Sequence, residues 1–325
     1  MKSEILAVLR NTEDYVSGQE LCERFGVSRT AVWKAINQLK ESGYQIEAVQ
    51  NKGYRLVASP DIMSVSELES IRRTKWVGNK IYYFDSIDST NNYAKKIAEE
   101  GETEGTLIVA DEQTKGRGRR GRVWTSPKGS DIYMTLILKP EIEPNNASML
   151  TLVVAMAVAK GIRDCTGLEA QIKWPNDIVI HGKKVCGILT EMSTQIEYIN
   201  YIVTGIGINV HCEHFPKEVE DIATSIYLES GKRQNRAQLI EAVWEAFEEY
   251  YEIYLQTQDM RGLVNEYNSH LANMHKQVRV LDPIGPYEGK AMGITEKGEL
   301  IVDTWESRKL VSSGEVSVRG IGHYV

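Results

Sequence analysis

Residues 115–124 read KGRGRRGRVW. Lys115, Arg117, Arg119, Arg120 and Arg122 alternate with Gly116, Gly118 and Gly121, and no acid stands among them. The glycines spell G-x-G-x-x-G, which in a dinucleotide-binding domain follows a strand and opens a helix on its last glycine. TLIVADEQ (106–113) supplies a strand, but VWTSPKGSDIYM (123–134), with Pro127 and Gly129, cannot begin a helix. The doubly wound nucleotide fold is therefore set aside. A bare nucleic-acid arm belongs at a terminus, whereas this segment lies between two apolar strands. What remains is a loop that folds over an anion. Glycines let backbone N–H groups approach phosphate oxygens, and arginines offer forked donors. Arginines closing on one another repel, so the loop is expected to be disordered without ligand and ordered with it.

The surroundings are those of a soluble chain. Its 325 residues carry a formal net charge of −7, with 42% apolar and 26% charged side chains, which fits two or three domains with real cores. Such an acidic balance excludes wholesale binding to nucleic acid or anionic membrane and leaves only local patches for it. The longest apolar run, MLTLVVAMAVA at 149–159, falls short of the roughly 20 residues of a membrane span and reads as a buried core helix. The opening MKSEILAVLRNTEDY is no signal peptide, so a cytoplasmic location without a membrane partner is expected. Cys22, Cys165, Cys186 and Cys212 form no C-x-x-C pair and read as reduced, buried thiols. HCEH at 211–214 lacks the spacing of a helical zinc pair.

Three regions differ in pattern: 1–63, 64–270 and 271–325. In the first, Leu21, Phe25, Val27, Val32, Ile36 and Leu39 recur at helical spacing around Gly26, with Ser28 placed as an N-cap and Gly43 past the far end. This is helix, turn, helix. YQIEAVQNKGYRLV then reads as two strands around Asn51-Lys52-Gly53, a wing. SPDIMS (59–64) is a linker. The middle region mixes strands (KIYYFDS, GTLIVADEQ, SDIYMTLILK, DIVIHGKKVCGILTE, INYIVTGIGINV) with three helices, an α+β mixed sheet rather than regular βαβ winding. From 271 onward, short strands with frequent turn signals suggest a small β-barrel.

A helix-turn-helix sets the start of its second helix against DNA. Here that gives Ser28, Arg29, Thr30, Trp33, Lys34 and Asn37, with Lys52 on the wing. Acids and bases nearly balance across 1–60, so a winged protein-interaction module is the competing reading. Half-site binding usually needs a dimer, which the rest of the chain would supply.

Two further stretches point to an anionic ligand. KWPND (173–177) sets a cation, an aromatic, a rigid turn, an amide and a carboxylate in five residues, although Pro-Asn-Asp also makes an ordinary turn. At DSTNN (88–92), Asp88 or Ser89 would cap a helix and leave polar donors at its N-terminus.

Taken together, DSTN (88–91), EQTKGRGRRGRVW (112–124), KWPND (173–177), KKVCGIL (183–189) and GIGIN (205–209) resemble the bacterial biotin protein ligases. With the N-terminal module, the chain is similar to the bifunctional members that also repress the biotin operon. The resemblance spans the whole chain. It implies a winged helix-turn-helix, a catalytic domain with a class II synthetase-like sheet, and a C-terminal SH3-like barrel.

By position it implies that Ser89, Thr90, Asn91 and Gln113 line the biotin pocket. Gly116 through Arg122 would close over it, with Arg117, Gly118 and Arg119 beside biotin and Lys184 near its carboxylate. ATP or the acyl-adenylate would meet Arg119, Arg120, Arg122, Trp124, Lys173, Asn176 and Asn209, and Mg²⁺ would meet Asp177 and Asn209. Biotin's carboxylate would attack the α-phosphorus of ATP, displacing pyrophosphate, with Lys184, Lys173 and Arg119 offsetting the repulsion of two anions. Biotinyl-5′-AMP would then acylate a lysine of a biotin carboxyl carrier protein, Asp177 accepting or orienting the amine proton. Adenylate would favour a homodimer, and the homodimer the biotin operator. A non-catalytic ligand-sensing repressor and a lipoate-ligase-like acyltransferase are the alternatives. The first does not need KWPND, and the second typically lacks the helix-turn-helix and GRGRRGR.

Overall fold

The computed structural model describes residues 1–195, 198–314 and 316–325. The chain divides into two compact units, Met1–Arg73 with Asn235–Glu241, and Thr74–Gln234 with Ala242–Val325.

The first unit holds α1 (Lys2–Arg10), α2 (Gly18–Phe25), α3 (Arg29–Glu41), β1 (Gln45–Val49), β2 (Gly53–Ala58) and α4 (Val65–Ile71). Ser17 and Ser28 cap α2 and α3 by accepting from the N–H groups of Glu20 and Ala31. Gly26 ends α2 in the left-handed region, at φ 63. Ile5, Leu6, Leu9, Leu21, Val32, Ile36 and Leu39 form the core, as their spacing requires. β1 and β2 pair antiparallel as the wing. The unit runs past the expected boundary at 63 because α4 is tied to α1. Glu67 is fully buried and takes the Arg10 guanidinium at 2.5 Å and the Tyr44 hydroxyl. A carboxylate removed from water needs such partners.

The second unit is built on β3 (Lys80–Phe84), α5 (Thr90–Glu99), β4 (Thr106–Ala110), β5 (Ile132–Leu138), α6 (Leu150–Thr166), β6 (Gln171–Lys173), β7 (Asp177–Ile180), β8 (Lys183–Thr194) and β9 (Ile199–Ile208). Its seven strands run in the order β3-β4-β5-β9-β8-β7-β6. β3 and β4 are parallel and the remaining neighbours antiparallel, the mixed sheet expected. α5 buries Ala94, Ile97 and Ala98 against Ile108, Ile137 and Val203 of β4, β5 and β9. The stretch Pro144–Thr166 has the length and apolarity of a membrane span, but 72% of its apolar window is buried, which marks a core helix. Helices α7 (Ile226–Ser230), α8 (Arg236–Thr257) and α9 (Val264–Ser269) follow. The expected barrel takes the form of a five-stranded antiparallel sheet, from β10 (Gln277–Leu281), β11 (Tyr287–Ile294), β12 (Leu300–Asp303), β13 (Arg308–Val311) and β14 (Ser317–Gly320), in the order β13-β12-β11-β10-β14.

Two expectations need correction. Of the four cysteines only Cys186 is buried; Cys165 is exposed, on the outward last turn of α6, and Cys22 and Cys212 are half-buried. The N-cap of α5 is Ser89, but its side chain makes no capping bond. Asp88 instead accepts from the Asn92 amide at 2.8 Å.

Candidate active site

A cavity of about 530 Å³ opens over β7, β8 and β9. At one end stands the start of α5. The Thr90 N–H and hydroxyl donate to Gln113 Oε1 at 2.9 and 3.1 Å, so the amide of Gln113 does the work a capping side chain would do. Gln113 Nε2 donates on to Ser126 Oγ at 3.2 Å. Asn91 accepts from the Thr135 hydroxyl at 2.7 Å and donates to Glu191 Oε2 at 2.9 Å. Burial pushes the Glu191 carboxyl up, but the hydrogen bonds from Lys95 and Asn91 outweigh it and hold the group below its usual range. Glycine at 205 makes this possible, because a Cβ there would stand 2.1 Å from Asn91 Oδ1.

The opposite end is charged. Lys184 Nζ meets Asp177 Oδ1 at 2.5 Å, and Lys173 Nζ lies 3.7 Å from Oδ2. The Tyr324 hydroxyl donates to the same Oδ2 at 2.5 Å. Burial pushes Asp177 up, yet the two lysines and the tyrosine bring it below the ordinary carboxylate range. Burial lowers Lys173 to about 8 against the pull of Asp177.

Residues 115–124 lie over this floor. The strand-like pair Arg117 and Val123 brackets a turn at Arg119–Gly121, with Arg120 at φ 59 and Gly121 at φ 70. The Trp124 ring rests on β8 and β9, where a Cβ on Gly207 would stand 2.5 Å from its Nε1 and one on Gly187 2.9 Å from the ring. Its indole N–H is buried and meets no acceptor among the described residues. Arg119 donates to Asn176 Oδ1 at 3.1 Å and to the Ser313 carbonyl at 2.6 Å. Gly116 packs beneath Trp124, a Cβ there falling 2.4 Å from its carbonyl oxygen. A Cβ on Gly118 meets only ordinary contacts at 3.7 Å, so of these two loop glycines it is Gly116 that has no room for a side chain.

Ser89, Thr90, Asn91, Gln113, Arg117, Gly118, Arg119, Arg120, Arg122, Trp124, Lys173, Asn176, Asp177, Lys184 and Asn209 thus converge on one cavity, whereas Gly116 and Gly121 of the expected flap do not line it. The sequence reading missed Tyr324, Glu191 and Asp131. Asp131 Oδ1 accepts the N–H groups of Val210, His211 and Cys212 at 2.7, 3.2 and 3.2 Å and so shapes the loop after Asn209.

Magnesium seeks carboxylates free of competing cations, but both Asp177 oxygens are already engaged by lysines and a tyrosine. Asn209 gives its amide to the Thr224 carbonyl at 3.0 Å. Among the described residues no three His, Cys, Asp or Glu side chains could share an ion. Asp177 therefore fits poorly as a metal ligand. A carboxylate held below its usual range is also a poor proton acceptor.

In the first unit, Thr30, Trp33 and Lys34 are exposed and Asn37 half-buried along one face of α3, and Lys52 is exposed on the wing. Trp33 is 57% exposed, unusual for tryptophan. Ser28 is engaged in capping, and Arg29 donates to Gln19 Oε1 at 3.0 Å.

A winged helix-turn-helix joined to a cation-walled cavity under an arginine flap defines a two-part protein, one part presenting a recognition helix and the other binding an anion. Comparison with known proteins agrees. Residues 83–209 match the Biotin/lipoate A/B protein ligase family, residues 2–55 an HTH domain, and residues 276–319 the biotin protein ligase C terminal domain. The bifunctional ligase/repressor BirA of Bacillus spizizenii is 41% identical, covering 94% of each chain. That of Escherichia coli is 28% identical, over 97% of this chain and 96% of its own. The biotin protein ligase from Aquifex aeolicus in complex with biotin and ATP superposes with a TM-score of 0.67 at 31% identity, over 75% of this chain and all of its own. The chain belongs to the biotin protein ligase family, among its bifunctional ligase/repressors.

Proposed function

We propose that the chain forms biotinyl-5′-AMP from biotin and ATP, transfers biotin to a lysine of a biotin carboxyl carrier protein in the cytoplasm, and represses biotin genes. The observation that carries this is the pairing of a neutral polar end with a cationic end in one cavity. The amides of Asn91 and Gln113 suit an uncharged ring system, and Lys184, Lys173 and Arg119 suit a carboxylate meeting a phosphate. Lys184 is the cation closest to exchange. Its side chain is 22% exposed against 6% for Lys173, so an incoming carboxylate can draw it from Asp177. Lys173 and Arg119 then offset charge on the phosphate as pyrophosphate leaves. Asp177 orients these lysines, and the carrier amine loses its proton to solvent or to the departing phosphate.

Repression would use Thr30, Trp33, Lys34 and Asn37 in the groove and Lys52 on the backbone of operator DNA, with a homodimer spanning two half-sites. Incubation with labelled ATP and biotin tests the enzyme, and absence of adenylate and pyrophosphate would sink it. A mobility shift on operator DNA tests the repressor. Binding should tighten with biotin plus ATP, and Lys34→Ala should lower the salt slope by about one; ligand-indifferent binding would break the coupling.

A further inference from the structure

Tyr324 sits in the charged wall of the cavity although it belongs to no motif in the chain. Its hydroxyl donates to Asp177 Oδ2 at 2.5 Å, and Lys173 Nζ lies 4.2 Å from the centre of its ring. One side chain thus holds both members of a buried ion pair, by two different interactions. The segment that carries it is folded back and anchored. Val325 is buried with Val179 and Ala272, and Tyr324 packs on the same cluster. At Gly320 a Cβ would stand 2.3 Å from His323 Nδ1 and 2.5 Å from the Val325 carbonyl carbon, so the return of the chain is tight.

The lysines on Asp177 are unequal. Lys184 approaches Oδ1 and is partly exposed, whereas Lys173 is buried against Oδ2. When Lys184 turns to an anion in the cavity, Asp177 loses its nearest cation and would tend to follow it. Tyr324 opposes that movement from the other oxygen, and its ring keeps Lys173 from taking the vacated place.

We propose that Tyr324 is a positioning residue, holding Asp177 and Lys173 fixed while Lys184 leaves Asp177 for the incoming substrate anion. The inference rests on the ligase reading of the cavity for its step. Its geometry can be tested without that reading.

The full-length chain is compared with Tyr324→Phe, which keeps the ring, and Tyr324→Leu, which removes it. In the first measurement the ligand-free proteins are acylated with acetic anhydride at one fixed pH, and each lysine is quantified by mass spectrometry. In Tyr324→Leu, Lys173 should label roughly tenfold faster relative to the exposed lysines, while Tyr324→Phe stays close to wild type. Unchanged labelling of Lys173 in Tyr324→Leu overturns the proposal.

The second measurement is single-turnover formation of adenylate. Tyr324→Phe should slow it about tenfold, as loss of a hydrogen bond to a charged group does, with the KM values for biotin and ATP little changed. In an Asp177→Asn background the same change should have no further effect. An equal additional loss there would mean that Tyr324 acts through general packing, against the proposal. If the wild-type chain makes no adenylate, the ligase reading falls, and the labelling experiment still decides whether Tyr324 holds Lys173.

Discussion

Arg117, Arg120 and Arg122 stand in water on the loop, whereas Lys173 and Asp177, directly beneath, are only 5% and 8% exposed. Both regions bring positive charge to one cavity, under opposite conditions. On the loop, solvent and salt screen the charges, so each costs little where it stands. On the neighbouring strands β6, β7 and β8 the charges are desolvated, so they act strongly but must neutralise one another until a ligand takes over. Exposed cations should therefore tune affinity and buried ones should set the chemistry.

The largest effect should come from the buried side. Lys184→Ala removes the cation proposed to meet the reacting carboxylate and takes from Asp177 its nearest partner. Adenylate formation should fall by about 10²–10³-fold, the usual loss for one preorganised charge-stabilising group, in a pyrophosphate-exchange assay. A loss no greater than that of an exposed loop arginine would erase the contrast.

Where the two regions touch, at Trp124, Gly207→Ala should drive the ring off β9. At about 1–3 kcal/mol of overpacking, adenylate should dissociate roughly 10–100 times faster in a chase experiment, with little change in melting temperature. Normal retention would mean the ring does not seal the cavity.

A third outcome concerns pH. Burial lowers Lys173 to about 8, so the ammonium is present below that pH and lost above it. Adenylation should decline as pH rises through about 8. Lys173→Arg, charged throughout, should abolish that decline even at reduced rate. The smallest change is expected from Arg120→Ala with Arg122→Ala. The KM for ATP should rise by roughly 2–5-fold at low salt and converge on wild type as ionic strength increases, because exposed charges are screened. Salt-independent loss would place these arginines with the buried set.

Local patterns in the sequence were enough to find the helix-turn-helix, since Ser28, Gly26 and the apolar spacing of α3 act within a few residues of one another. GRGRRGR and KWPND were legible for the same reason: each packs its chemistry into one loop or turn. The remainder was not local. Tyr324 reaches Asp177 across 147 positions, and Glu191 reaches Asn91 across 100. Asp131 reads in sequence as an ordinary strand-end acid, and only the fold brings the N–H groups of Val210, His211 and Cys212 to it. β6, α4, α7 and α9 are too short for periodicity to reveal. The engagement of Asp177, which argues against metal ligation and proton acceptance, depends on Tyr324 from the far end of the chain as well as on the nearby Lys173 and Lys184.

The indole N–H of Trp124 meets no acceptor among the described residues, and this gives the loop a chemical criterion for closing. A buried donor without an acceptor carries a penalty of about 1–3 kcal/mol. A ligand that brings a lone pair to that nitrogen cancels the penalty, while one of the same shape without the lone pair does not. The loop would then discriminate between isosteres by their electrons as well as by their outline, and would stay shut longest over the molecule that completes its hydrogen bonding.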